Sequence, residues 1–183
     1  GLFEDKNLLV CTPTASGKTL VGELAALNAI YHDLGKAIYV VPLRALASEK
    51  YKQFKKDYPH LRIAMSSGDL DSNDRHLESA EVIITTSEKL DSLLRHKVPW
   101  MSQVKTVIID EIHLLNDAGR GPTLEIVITV LKQILPHLQL IGLSATIGNP
   151  QELAKWLEAE VVFDTWRPVE LRKGILVDNK VEF

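Results

Sequence analysis

Thr12-Pro13-Thr14-Ala15-Ser16-Gly17-Lys18-Thr19 follows directly on the apolar run Leu8-Leu9-Val10 and opens a helical pattern that continues to Tyr31. A Gly-Lys-Thr loop at a strand-to-helix junction can surround phosphate oxygens with successive backbone N–H groups at the positive end of a helix. In that reading Thr14, Ala15, Ser16, Gly17, Lys18 and Thr19 form the cradle. Gly17 is expected where a side chain would obstruct the approach. Lys18 reaches the β- and γ-phosphates of ATP, and the Thr19 hydroxyl ligates Mg²⁺. The pattern ordinarily opens with glycine, whereas this loop opens with Thr12. Ser-Gly-Lys-Thr can also be a plain polar turn capping a helix. The strand before it and the helix after it, with Leu20, Val21, Leu24, Leu27 and Ile30 expected on one packed face, favour the phosphate loop.

Far downstream, Val107-Ile108-Ile109 runs straight into Asp110-Glu111-Ile112-His113. A carboxylate at the carboxyl end of a buried parallel strand stands where open α/β sheets bind ligands, so Asp110 is placed to hold Mg²⁺. Glu111 beside it can orient and deprotonate an attacking water. Alone, an acidic pair after a strand is also what a helix N-terminus favours through its dipole.

Between these motifs short apolar runs alternate with helical patterns, the signature of an α/β fold with a mostly parallel sheet covered by helices on both faces. Strands are expected at 7–11, 37–41, 62–66, 82–86, 105–110, 139–144 and 161–164. Helices are expected at 17–31, 43–58, 72–77, 87–94, 123–135 and 150–157. The polar segments that could carry function fall mostly just after strands.

Composition narrows the class without naming an activity. The 183 residues suit one domain, and 45% hydrophobic with 25% charged content is globular rather than disordered. A net charge of -3 gives no bulk pull toward a polyanion and argues against a dedicated basic nucleic-acid module, so any strand binding must use a local track. The single Cys11 excludes an internal disulfide, and no paired cysteines or H-E-x-x-H indicate zinc. All histidines except His113 read as surface or turn residues. With no bilayer-length apolar run and no signal-peptide pattern, the expected location is cytoplasmic, without a membrane partner.

Three further segments carry a family resemblance. Asp110-Glu111-Ile112-His113 resembles the DExH box, Ser144-Ala145-Thr146 the S-A-T motif, and Pro42-Leu43-Arg44-Ala45-Leu46-Ala47 the motif Ia of superfamily 2 helicases. More narrowly, the chain resembles the archaeal Hjm-type repair helicases, which are Ski-like and polymerase-theta-like. That match rests on T-P-T-A-S-G-K-T, V-P-L-R-A-L-A-S-E-K, Ser67-Gly68-Asp69, T-S-E-K-L-D-S-L-L-R-H, R-G-P-T-L-E, G-N-P-Q-E-L-A-K-W-L and W-R-P-V-E-L, in this order over nearly the whole chain.

The resemblance implies a RecA-like P-loop NTPase domain of an ATP-dependent 3′ to 5′ DNA helicase in repair and stalled-fork processing. It assigns Lys18, Asp110, Glu111 and His113 to catalysis, with Thr19 and Asp110 on the metal. Ser144 and Thr146, with His113, would couple nucleotide state to nucleic-acid binding. The strand track would run over Pro42, Arg44, Ser67, Gly68, Thr86, Glu88, Lys89, Arg120 and Gly121. Backbone, hydroxyl and guanidinium contacts of that kind face phosphates and carry no sequence information. Without the family, Arg44 is equally an exposed residue beside a face packed by Leu43, Leu46 and Ala47, and Thr86-Ser87-Glu88 is equally an ordinary helix cap.

An RNA helicase of the Ski-like branch would share these motifs. A P-loop kinase or transporter ATPase would leave Ser144-Ala145-Thr146 and the Pro42 run unexplained. The chain opens at Gly1 and stops soon after Trp166-Arg167-Pro168, so both ends read as cut. The expected partners are single-stranded and forked DNA, an upstream adenine-reading segment, and a second RecA-like domain with further C-terminal domains of the same polypeptide. Alone, the piece is expected to bind nucleotide weakly, hydrolyse it barely, unwind nothing and tend to self-associate.

Overall fold

The computed structural model describes residues 1–13, 16–68, 75–145, 147–166, 174–177 and 180–182. The expected strands form as β1 (Asn7–Cys11), β2 (Lys36–Val41), β3 (Ile63–Ser66), β4 (Val82–Thr86), β5 (Val104–Ile109), β6 (Gln139–Ser144) and β7 (Ala159–Phe163). The helices are α1 (Lys18–Tyr31), α2 (Arg44–Asp57), α3 (Arg75–Ser79), α4 (Ser87–Arg95), α5 (Gly121–Ile134) and α6 (Pro150–Leu157). The start expected for α3 at Ser72 lies outside the described residues. Helix α5 begins earlier than expected because Pro122 fits the first turn, where its missing N–H costs nothing. A two-stranded antiparallel hairpin, β8 (Ile175–Val177) with β9 (Lys180–Glu182), was not expected.

The seven strands run in the order β3-β4-β2-β5-β6-β1-β7, and every pairing between them is parallel. Consecutive residues of each central strand face opposite cores. On one side Leu9, Ile38, Ile83, Val107 and Leu140 pack with Leu90 and Leu93 of α4, Val127 and Leu131 of α5 and Leu157 of α6. On the other, Leu8, Tyr39, Ile84, Ile108 and Ile141 pack with Ala25 and Ala26 of α1 and Ala47 and Phe54 of α2. Burial on both faces explains why the strands read as continuous apolar runs rather than alternating ones.

The packed faces of the first two helices differ from expectation. Leu20 and Leu24 are exposed, Val21 and Leu27 are half-buried, and the face of α1 on the sheet is Gly22, Ala25, Ala26 and Ala29, with Ile30. The reason is separation: a Cβ on Gly22 would stand 2.8 Å from Ile108 Cγ2 and 3.2 Å from Leu143 Cδ1. Helix and sheet approach so closely that only small residues fit between them. Likewise Leu43 and Leu46 are exposed, and α2 packs through Ala47 and Phe54 instead.

The strand order divides the carboxyl edge of the sheet into two neighbourhoods. β1, β6 and β5 adjoin one another and deliver the phosphate-loop sequence, Ser144 and Asp110. β2, β4 and β3 adjoin one another and deliver Pro42, Thr86 and Ser67. Two functions read from scattered motifs therefore become two ends of one edge.

Candidate nucleotide site and strand groove

The loop after β1 is braced from within. Thr12 N–H donates to the Ser144 carbonyl oxygen at 3.3 Å, tying the loop's first residue to the end of β6. Ser16 Oγ lies 2.6 Å from Thr12 Oγ1 and 2.7 Å from the Pro13 carbonyl oxygen. The threonine in the usual glycine position is thus buried and cross-links the loop through its hydroxyl. Gly17 precedes α1 at φ +86°, a left-handed conformation that a side chain disfavours, and no protein atom comes within 4 Å of where its Cβ would be. The glycine is required by backbone conformation rather than by crowding from the chain itself. Thr14 and Ala15 lie outside the described residues.

Lys18, the first residue of α1, is buried, and its Nζ makes no hydrogen bond in the structure. Burying an ammonium without acceptors is costly, which marks a group that awaits an anion. Glu111 Oε1 is 4.0 Å away, close enough for attraction and too far for a hydrogen bond. Glu111 Oε2 lies 3.3 Å from His113 Nδ1, which in turn is 3.4 Å from Ser144 Oγ. Lys18, Glu111, His113 and Ser144 therefore meet in one place. Thr146 lies outside the described residues.

Asp110 follows β5 directly, its N–H donating to the Val40 carbonyl oxygen at 2.9 Å. Its Oδ1 accepts from Glu111 N–H at 3.0 Å and its Oδ2 from the Tyr39 hydroxyl at 3.3 Å. Glu111 has φ 52° and ψ 44°, a left-handed conformation costing a residue with Cβ about 1–2 kcal/mol. Such strain persists where a position demands a direction of the side chain. The turn at Glu111 swings its carboxylate toward Lys18 and starts a 3₁₀ turn over Ile112–Asn116. The Thr19 hydroxyl and Asp110 carboxylate are the hard oxygen donors that suit Mg²⁺. The described residues contain no cluster of three or more His, Cys, Asp or Glu that could hold a metal ion.

Sequence reading missed the residues beneath this site. Tyr39 is fully buried, and burial first, then the Asp110 and Glu23 carboxylates, push its phenol well above the ordinary range. Glu23 on α1 is buried too; its Oε2 accepts from the Tyr58 hydroxyl at 3.2 Å and its Oε1 lies 3.6 Å from Lys50 Nζ of α2. Lys50 Nζ stands 5.3 Å from the centroid of the Tyr39 ring. A lone acid next to the small-residue face of α1 was the available signal.

At the other end of the edge, Arg44, Ser67, Gly68, Thr86, Glu88 and Lys89 line one groove of about 500 Å³ with Ser92. Arg44 and Glu88 are exposed, while Lys89 is buried. Thr86 is the N-cap of α4, accepting from Lys89 N–H at 3.4 Å, so the capping role and a place in the groove coexist. Pro42 and Arg120 are brought together in an adjoining cleft with Ser87 and Asp110, which links the two neighbourhoods. Arg120 Nε is 3.8 Å from Asp117 Oδ1. Hydrogen bonds from Arg120 N–H and Gly119 N–H hold the Asp117 carboxyl below its ordinary range. Gly121 is buried, donates its N–H to the Asp117 carbonyl, and would drive a Cβ to 2.2 Å from the Leu115 carbonyl oxygen. Its lack of a side chain lets the start of α5 pack against the Leu115 backbone.

The chain is 54% identical over 189 residues to the ATP-dependent DNA helicase Hel308 of Methanocaldococcus jannaschii, covering all of this chain and 16% of that protein. It is 54% identical over 183 residues to the protein of that name from Pyrococcus abyssi, covering 99% of this chain and 25% of that protein. The Methanococcus vannielii protein of the same name is 50% identical, again with 25% of its length matched. The chain thus spans a quarter or less of the length of these relatives. Residues 1–153 match the DEAD/DEAH box helicase model, and with the parallel sheet and both motifs at its carboxyl edge, the chain belongs to that nucleotide-using family of RecA-like α/β domains.

Proposed function

We propose that this chain is the ATP-binding motor domain of an ATP-dependent 3′ to 5′ DNA helicase serving DNA repair and stalled forks. The observation that carries the reading is the meeting of Lys18, Glu111 and His113 at one end of a sheet edge whose other end gathers Arg44, Ser67, Thr86 and Lys89 in a groove. Lys18 holds the terminal phosphates, Thr19 and Asp110 take Mg²⁺, and Glu111 orients the attacking water and accepts its proton. Bound Mg²⁺ supplies charge neutralisation at the phosphates. His113 and Ser144, with Thr146, relay nucleotide state toward the groove, and Arg44 and Lys89 meet strand phosphates there.

The matched relatives are named DNA helicases, which favours DNA over an RNA substrate. Their greater length supports further domains of the same polypeptide; we propose that these include a second RecA-like domain whose arginines complete the site and an adenine-reading segment. Residues 1–183 are then the first RecA-like unit and, alone, hydrolyse ATP barely. Exposed Leu20, Leu24 and Tyr31 on α1 and Leu43 and Leu46 by α2 give it apolar surface for self-association. A clean monomer by sedimentation at high concentration would contradict that last point. Among the described residues no helix is long and apolar enough to cross a membrane.

The decisive experiment is ATPase measurement on the full polypeptide with single-stranded DNA and, separately, RNA. Greater stimulation by DNA is expected, with stimulated turnover lost in both Lys18→Ala and Glu111→Gln. Unchanged turnover in both variants would remove the site assignment.

A further inference from the structure

Tyr39 lies in the middle of β2, inside the sheet, yet its hydroxyl does not end in apolar surroundings. It donates to Asp110 Oδ2 at 3.3 Å. Asp110, at the end of β5, is one of the two side chains assigned above to magnesium. The ring has little freedom to move. Phe54 meets it edge-on at 5.8 Å between centroids, and Lys50 Nζ stands 5.3 Å from its centroid. A Cβ at Gly22 would lie 3.4 Å from its Cε2, so α1 closes the remaining side.

Packing alone does not call for this hydroxyl. A phenylalanine would fill the same space against Phe54 and Gly22 and would avoid burying a polar group, which costs unless it is hydrogen-bonded. The oxygen finds its partner in a carboxylate that the strand end leaves half-exposed. The Asp110 carboxylate, in turn, is fixed on both oxygens, by Glu111 N–H on Oδ1 and Tyr39 on Oδ2. Its remaining lone pairs are left for whatever lies above the sheet edge.

We propose that Tyr39 is a positioning residue of the nucleotide site, whose hydroxyl holds the Asp110 carboxylate in one orientation so that magnesium meets a preset oxygen donor. The proposal rests on the reading of Asp110 given above. It predicts a defect in metal use rather than in nucleotide grip, because the Lys18 ammonium makes no hydrogen bond to the phenol.

The test uses the full polypeptide with a fluorescent ADP analogue, titrated with Mg²⁺ and, in parallel, held in EDTA. In Tyr39→Phe the half-saturating Mg²⁺ concentration is expected to rise about tenfold, the loss expected for one hydrogen bond to a charged group. Affinity in EDTA and the thermal melting midpoint should stay close to the parent chain. Asp110→Asn serves as the reference and should lose the Mg²⁺ dependence outright. If Asp110→Asn loses it while Tyr39→Phe leaves the Mg²⁺ midpoint unmoved, the positioning role is overturned and the site reading stands. If Tyr39→Phe weakens binding equally with and without metal, or lowers the melting midpoint sharply, the hydroxyl is structural and the proposal is again overturned. If Asp110→Asn keeps its Mg²⁺ dependence, the site reading itself fails.

Discussion

Glu111 Oε1 lies 4.0 Å from the buried ammonium of Lys18, although one residue follows β5 and the other begins α1. The intervening strand β6 sets that spacing, and the left-handed backbone at Glu111 turns the carboxylate inward. The two groups are too far apart to satisfy each other. Each is available to a third party between or beside them: an anion for Lys18, a water for Glu111.

Glu111→Gln should therefore separate binding from chemistry. The amide preserves size and removes only the proton acceptor, so nucleotide affinity should hold while turnover of the full polypeptide falls by about 10²-fold or more. Lys18→Ala should instead weaken nucleotide binding itself, since the buried cation is what an anion would meet. Equilibrium binding and steady-state ATPase on both variants check the split; equal loss of affinity in both would contradict it.

Gly121 offers a test of structure apart from nucleotide. Because an added Cβ would stand 2.2 Å from the Leu115 carbonyl oxygen, a backbone atom with nowhere to retreat, Gly121→Ala must displace the start of α5 from the 3₁₀ turn after Glu111. The expected cost is roughly 1–3 kcal/mol, as for overpacking elsewhere. In a chain of this size each kcal/mol lowers the melting midpoint by about 2–4 °C. Gly17→Ala meets no such crowding and should cost less, through its φ of +86° alone. Melting curves of the two variants would show whether the order holds.

The strands were legible because runs such as Val82-Ile83-Ile84 and Val107-Ile108-Ile109 are apolar on both faces and bounded by polar residues. The site was legible for a related reason: motifs that end strands of a parallel sheet are brought to one edge by the fold. The packed face of α1 was not, because hydrophobicity ranks Leu20 and Leu24 above Gly22 and Ala26, whereas the sheet selects for closeness of approach. Tyr39 was hidden for the opposite reason. A tyrosine within a strand reads as core, and only the registry of β2 with β5 shows that its hydroxyl ends at Asp110. The hairpin of β8 and β9 has strands too short for alternation to be counted.

The Tyr58 hydroxyl, donated to Glu23, makes a prediction about alkaline pH. Burial first, then the Glu23 carboxylate, push its pKa up to about 12 in the folded chain. In the unfolded chain a tyrosine titrates near 10. Above about pH 10 the unfolded state loses this proton and the folded state retains it, so stability falls as pH rises. The loss should develop between about pH 10 and 12. Tyr58→Phe removes the group from both states and should flatten that part of the curve relative to the parent chain. Denaturant melts of both proteins across this range check the difference, and parallel curves would show that the Glu23 contact does not hold the phenol protonated.

Arg44 gives the clearest separation of strand binding from folding. It is exposed at the first turn of α2, and the core under that helix is built from Ala47 and Phe54, so Arg44→Ala should lower the melting midpoint far less than Phe54→Ala. Its guanidinium lines the groove with Lys89, Ser67 and Thr86, a set of donors suited to phosphate oxygens. Loss of one phosphate contact on a single strand releases one counterion fewer, lowering the slope of log affinity against log salt by about 0.7. The weakening should be the same for poly-dT and mixed-sequence strands. Measured on the full polypeptide by anisotropy at several salt concentrations, an unchanged slope would remove Arg44 from the phosphate track. A loss confined to one sequence would mean that the groove reads bases instead.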